Sequence, residues 1–179
     1  MFNYEHHCTT MNKKQVTTEH HHFPWDHPRF RSWIAVARAC QLMQQTLTRE
    51  LAHLDIKPPH LDILINLYRF DGITQQELAR KLLVGRSNMS MLLPQLEKRG
   101  LIERRGDERD KRVLRLSLTP AGRTLTEEAM EIQTALIEKS LTGSPIEDCM
   151  TVAQSMERII ATLLKEDGDR EHGPSSAER

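Results

Sequence analysis

Cysteine is scarce. The three residues present, Cys8, Cys40 and Cys149, are far apart, odd in number and form no CxxC pair. They give no basis for a disulfide framework or a zinc ribbon. No run of about 18 apolar residues occurs, so no membrane span is expected. The N-terminus, MFNYEHHCTTMNKKQ, lacks the apolar core of a signal peptide, which makes the cytoplasm the expected location. Net charge is also missing: 25 basic and 25 acidic residues cancel. That balance argues against a protein that coats nucleic acid by bulk charge, though it leaves local patches open. A Gly-rich phosphate loop, an HExxH pair and an activated-nucleophile motif are all absent, so neither an enzyme nor a bound metal or cofactor is expected.

What is present is a soluble, globular composition, 38% hydrophobic and 28% charged over 179 residues. That length suits one domain with a substantial core. Residues 1–28 are polar and carry His6, His7, His20, His21, His22 and His27, six of the nine histidines, with Cys8 among them. They read as a disordered, His-rich arm. Metal binding by this arm is the functional alternative; a flexible tail is the simpler reading, because the spacing matches no standard ligand set.

From Phe30 to about His53 a helical period steps through Trp33, Ala37, Cys40, Leu47, Leu51 and Leu54, predicting a long amphipathic helix. Cys40 falls on or near that stripe, and reads more simply as a small core side chain than as a thiol sensor. Pro58-Pro59 starts a second helix, His60 to Phe70, with Leu61, Leu64, Ile65 and Tyr68 inward, closed by Asp71-Gly72. Thr74-Gln75-Gln76-Glu77 is a capping box for a third helix carrying Leu78, Ala79 and Leu82. Leu83-Val84-Gly85 is the turn into a fourth, about Arg86 to Arg99.

Met89, Leu92, Leu93 and Leu96 share one face of that fourth helix. Arg86, Ser87, Asn88, Ser90, Met91 and Gln95 fall largely elsewhere, a polar set suited to base edges and phosphates near a helix N-terminus. Pro94 lies inside the helix and removes the bond to the Ser90 carbonyl, at roughly 3 kcal/mol in an ideal helix. A bend or local tightening is expected there rather than a break. Gly100 caps the end.

Two strand-like runs follow, Leu101–Arg105 and Val113–Leu118, around the charged tip Gly106-Asp107-Glu108-Arg109-Asp110-Lys111-Arg112. From Lys98 to Arg115 eight basic residues stand against four acids, a local net of +4 in an otherwise acidic chain. A solvated hairpin tip is one reading. The other is a wing whose arginine reaches a phosphate or the minor groove. Thr119-Pro120 then starts a helix to about Leu141. Ser144-Pro145-Ile146-Glu147 is a second capping box, with a last helix to about Lys165; residues 166–179 read as a disordered polar tail.

The stretch Leu96 to Arg123 resembles the MarR family of bacterial winged helix-turn-helix transcription regulators. The pieces are Leu96-Glu97 with Gly100-Leu101-Ile102, the wing Asp107–Arg112, and Leu118-Thr119-Pro120-Ala121-Gly122, joined by Leu78-Ala79 with Leu82. The resemblance covers about residues 30–165. It implies a mainly α fold with a small β wing. Residues 30–55 and 120–165 would be dimerisation helices, and residues 56–119 the winged helix-turn-helix lobe, within a domain spanning 29–165. It implies a homodimer on double-stranded, pseudo-palindromic DNA. Ser87, Asn88, Ser90 and Met91 match the region facing the major groove. Arg112 matches the wing arginine and Asp110 the wing-structuring aspartate; Arg109 and Lys111 are further DNA contacts. Members of the family bind small aromatic ligands in a cleft, for which Trp33, His53, His60 and Tyr68 are the candidates here. The expected function is a sequence-specific DNA-binding repressor released by a small aromatic or phenolic ligand. The alternative is a metal- or redox-responsive regulator using the His/Cys-rich arm or Cys40.

Overall fold

The computed structural model describes residues 27–107, 110 and 113–171. Two compact units divide the chain, Met1–Gln41 and Leu42–Arg179. The element order is α1 (Pro28–Glu50), a short 3₁₀ turn (Ala52–Leu54), α2 (Pro58–Arg69), β1 (Ile73–Thr74), α3 (Gln75–Leu82), α4 (Arg86–Lys98), β2 (Ile102–Gly106), β3 (Leu114–Leu118), α5 (Pro120–Leu141) and α6 (Ile146–Glu171). The mainly helical fold with a small β wing is the one expected.

In the second unit the core is aliphatic. Leu61, Ile63, Leu64 and Leu67 of α2 meet Leu78, Met89, Leu93, Leu96, Leu101, Ile102, Leu116 and Ala129 in one buried cluster. α2 is thus buried around more of its circumference than an amphipathic stripe requires, which marks it as the central helix. Removing these aliphatic groups from water is the main stabilising term for the lobe.

Four features differ from expectation. The sheet has three strands in the order β1-β3-β2, not two. Ile73 and Thr74 pair antiparallel with Leu116 and Arg115; two residues are too short to show a period of two. The helix expected to end near His53 stops at Glu50, and a 3₁₀ turn closes on Asp55 in the left-handed region (φ 52°). α6 begins at Ile146, and the Pro145 carbonyl takes the first amide bonds, from Asp148 and Cys149. Pro145 therefore occupies the cap position rather than the first helical one. α6 also runs through Glu166–Glu171, so the tail expected from 166 is helical that far. An established helix propagates without a new nucleation cost, even across a polar segment. Residues 1–26 of the arm and 172–179 of the tail lie outside the described residues.

α1 begins at Pro28. In the first unit Trp33 and Cys40 are exposed, so Cys40 is not the core side chain that the helical stripe suggests. α1 buries Leu47, seven residues on, in the second unit.

Candidate nucleic-acid interface

α3 is fixed at its start by the expected capping box. The Glu77 amide donates to Thr74 Oγ1 (3.2 Å), and the Thr74 amide donates to Glu77 Oε2 (2.8 Å). These bonds hold the Glu77 carboxyl below its ordinary range, the Thr74 backbone bond being the largest cause. The helix ends on Leu83 in the left-handed region (φ 53°), whose amide and that of Val84 return to α3 carbonyls.

After this turn α4 starts at Arg86 with Gly85 as its cap. Glycine has no side chain to satisfy the first amides, and Gly85 makes no side-chain cap bond. The N-terminus is therefore open toward an anion, with the helix dipole behind it. Met89, Leu93 and Leu96 face the core and Leu92 is half-buried; Ser87, Asn88, Ser90, Met91, Pro94 and Gln95 are exposed. α4 continues through Pro94 without a break. Because Pro94 is on the exposed face, its ring displaces no core side chain. The far end is closed by Gly100 (φ 66°), with Gly100 N–H to Glu97 O (2.8 Å) and Leu101 N–H to Leu96 O (3.0 Å). This pair of bonds is a Schellman motif. It turns the chain directly into β2.

The next helix is tied to that turn. Thr119 Oγ1 accepts from the Gly122 amide (3.0 Å) and donates to the Gly100 carbonyl (2.6 Å). The Thr119 amide donates to Leu101 O (3.1 Å). A Cβ at Gly122 would stand 1.8 Å from the same carbonyl oxygen. Only glycine lets the start of α5 approach the chain leaving α4 this closely.

The hairpin pairs Ile102 with Leu118 through Gly106 with Leu114. At its open end the Asp107 amide donates to Val113 O, and the Val113 amide to Asp110 O (2.8 Å each). Asp107 Oδ1 accepts from the Asp110 amide (3.2 Å), an Asx-type closure, while Oδ2 accepts from Arg115 Nε. Asp107 therefore holds the base of the wing. The family resemblance assigns the structuring role to Asp110, which contributes its backbone to this closure. Arg109, Lys111 and Arg112 lie outside the described residues, as does the Arg86 side chain.

Several arginines counted in the basic stretch have internal partners. Arg99 donates to the carbonyls of Asp55 (2.5 Å) and Leu54 (3.0 Å), closing the 3₁₀ turn against the end of α4. Arg104 pairs with Glu97 (2.8 Å) and Arg105 with Glu103 (2.5 Å). Arg115 pairs with Asp107 and donates to Gly72 O (2.8 Å). Four of the eight basic residues of that stretch are thus committed to partners within the fold. Charge counting is blind to partners, so it cannot reveal these roles.

Gln95, expected on the DNA face, turns its amide back to Met91 O (3.0 Å). It also approaches His60, which is 7% exposed. His60 Nδ1 accepts from the Lys57 amide at the start of α2 (3.3 Å). Nε2 is buried with no hydrogen-bond partner among the described residues. Burial lowers the proton affinity of the ring; Arg99 and Lys57 add to this, while Gln95 and Asp55 offset part of it.

Of the residues expected to line a ligand cleft, His53, His60 and Tyr68 stand at separate places in the second unit. His60 and Tyr68 lie eight residues apart on α2, about 12 Å along its axis. His53 is exposed and pairs with Glu128 on α5 (3.6 Å). Trp33 belongs to the other unit. Tyr68 alone lines an open groove, with Glu127, Met130, Glu131 and Glu138 of α5. Its hydroxyl donates to Glu127 Oε1 (2.9 Å) and Arg123 lies over its ring. Among the described residues no group of three or more potential metal ligands occurs, and no helix is long and apolar enough to cross a membrane.

A family model described as MarR family matches residues 54–113. An uncharacterized HTH-type transcriptional regulator of Bacillus cereus is 31% identical over 103 residues, 58% of this chain and 68% of that protein. The organic hydroperoxide resistance transcriptional regulator of Bacillus subtilis is 26% identical over 113 residues, 63% of this chain and 76% of that one. Among solved structures, the transcriptional repressor CouR bound to a 23-mer DNA duplex is 29% identical, with a TM-score of 0.63, covering 71% of this chain and 89% of that one. A mutant MarR from E. coli complexed with operator DNA has a TM-score of 0.68 at 22% identity, covering 77% and 97%.

Proposed function

The chain belongs to the MarR family of transcription regulators, and from that premise we propose that it acts as a homodimeric repressor. In this reading it binds a pseudo-palindromic operator and is released by a small molecule. The observation that carries the reading is α4: an uncapped N-terminus and an exposed face of Ser87, Asn88, Ser90 and Met91, backed by a buried face of Met89, Leu93 and Leu96. Such a helix presents hydrogen-bonding groups to a major groove while its other side keeps it rigid. The wing beside it supplies Arg109, Lys111 and Arg112 for phosphates or the minor groove.

Dimerisation is supported by apolar surface that the single chain leaves uncovered. α6 carries Ile146, Met150, Val152, Ile159, Ile160, Leu163 and Leu164 exposed, and α5 adds Ile137 and Leu141. Exposed stripes of this extent mark a protein interface. The groove beside Tyr68 is our candidate ligand seat. Its rim of Glu127, Glu131 and Glu138 favours an uncharged phenol or a cation over an aromatic acid.

The experiment is quantitative binding to the promoter region of its own gene against random duplex DNA at moderate salt. Preference for one symmetric site, lost on Asn88→Ala or on joint Arg109→Ala and Arg112→Ala substitution, is the expected result. Equal affinity for both DNAs would end the reading.

A further inference from the structure

One face of the sheet carries an alternating row of charge. On β2 and just beyond it stand Glu103, Arg105 and Asp107; across from Arg105, on β3, stands Arg115. Two arginines directly opposite each other repel. The arrangement resolves this by sending them to different acids. Arg105 turns back to Glu103, while Arg115 pairs with Asp107.

Arg115 then does something no other residue on this face does among the described contacts. It lies on the central strand, with Thr74 of β1 on its other side. Its Nε donates to Asp107 at the base of the wing, and its Nη1 donates to the carbonyl of Gly72 (2.8 Å), in the turn that leads into β1 and α3. The Gly72 amide in turn donates to Leu116 O (3.0 Å). Gly72 takes φ +71°, and a Cβ there would meet only the Arg115 side chain, at 4.0 Å. Asp107 is the sheltered partner, its side chain 14% exposed. A planar guanidinium with two committed edges fixes distance and angle together, which a single ammonium cannot do.

We propose that Arg115 is a positioning residue that sets the wing against the helix-turn-helix, so that both engage the same duplex at once. The inference rests on the reading that α4 and the wing bind DNA. The mechanism is geometric. A recognition helix and a wing that meet DNA together gain from each other only if their separation is fixed beforehand. Freed from Gly72 and Asp107, the hairpin keeps its ladder and the backbone bond from Gly72 to Leu116, but loses the side-chain link between the base of the wing and the turn that starts α3.

The test is a two-by-two cycle on the tightest duplex selected by the unaltered protein from a randomised pool. Arg115→Leu, which suits a strand, lowers affinity at least tenfold while leaving the melting temperature within about 3 °C. In a background lacking all three wing cations (Arg109→Ala, Lys111→Ala and Arg112→Ala), the same substitution has less than a twofold effect, because no wing contact remains to be positioned. Asp107→Asn follows the same pattern by an independent route. It keeps the amide acceptor for Asp110 but weakens the pair with Arg115. Arg115→Lys keeps the charge, cannot reach both partners, and recovers only part of the loss. An equal loss in both backgrounds, or full recovery by lysine, overturns the proposal, since either makes Arg115 a simple charge on the DNA. A variant that unfolds is set aside in favour of Asp107→Asn, whose additivity or non-additivity decides the matter. If the unaltered protein selects no duplex at all, the DNA-binding reading itself fails, and this inference falls with it.

Discussion

At the scale of single residues, the decisive features are close approaches that no residue pattern announces. Gly122 is the clearest. The sequence places it in a recognisable Leu-Thr-Pro-Ala-Gly run, but the reason for glycine is the Leu101 carbonyl 1.8 Å from where a Cβ would sit. Gly122→Ala must push α5 away from the end of α4, and we expect a loss of at least ~2 kcal/mol in urea denaturation, as for other overpacked sites. His60 gives a pH prediction. Burial depresses its pKa in the folded state below the ordinary 6.5, so folding favours the neutral ring. Stability is full above that value and declines as pH falls through 6.5 toward the folded-state pKa. His60→Asn, which retains an acceptor for the Lys57 amide, should flatten that part of the stability-versus-pH curve. A curve unchanged by the substitution would show that His60 does not carry the dependence. The histidine is visible in the sequence as a candidate ligand group. Its burial beneath α4 is not, because that depends on where Gln95 and Arg99 arrive in space.

At the scale of elements, the helices and their caps are largely readable from the sequence. Thr74 with Glu77 and Thr119 with Pro120 are local chemistry, and both perform as their spacing implies. Thr74→Ala should cost about 1 kcal/mol, with hydrogen exchange in α3 rising before that in α2. What cannot be read are features defined by a distant partner: β1, which exists because Leu116 and Arg115 lie beside it, and the 3₁₀ turn that Arg99 closes. Pro94 gives a prediction at this scale too. It is exposed and costs α4 the amide bond to Ser90 O, so Pro94→Ala should raise stability by about 1–3 kcal/mol. Calorimetry checks this; an unchanged melting temperature would mean the helix already accommodates the ring fully. The candidate interface is only partly legible for the same reason. The exposed face of α4 follows from a 3.6-residue period. The internal engagement of Arg99, Arg104, Arg105 and Arg115 does not follow from composition.

At the scale of the whole molecule, the proposed dimer is the claim to test. Apolar residues on α5 and α6 are exposed in the single chain, as a surface that a second copy would cover. The melting temperature should therefore rise with protein concentration, and Ile160→Glu with Leu163→Glu should give a monomer by light scattering that binds DNA far more weakly. Local charge, not total charge, carries the affinity, so log K should fall steeply and linearly with log salt, with a slope near −0.9 per phosphate contacted. Two recognition helices related by two-fold symmetry should sit roughly 34 Å apart on one face of a duplex. Selection from a randomised duplex pool, followed by a stoichiometry measurement on the winning sequence, tests that most directly. The expected result is an inverted repeat with half-site centres about 10 bp apart and two chains per duplex. Enrichment of sites without symmetry, or one chain per site at saturation, would contradict it.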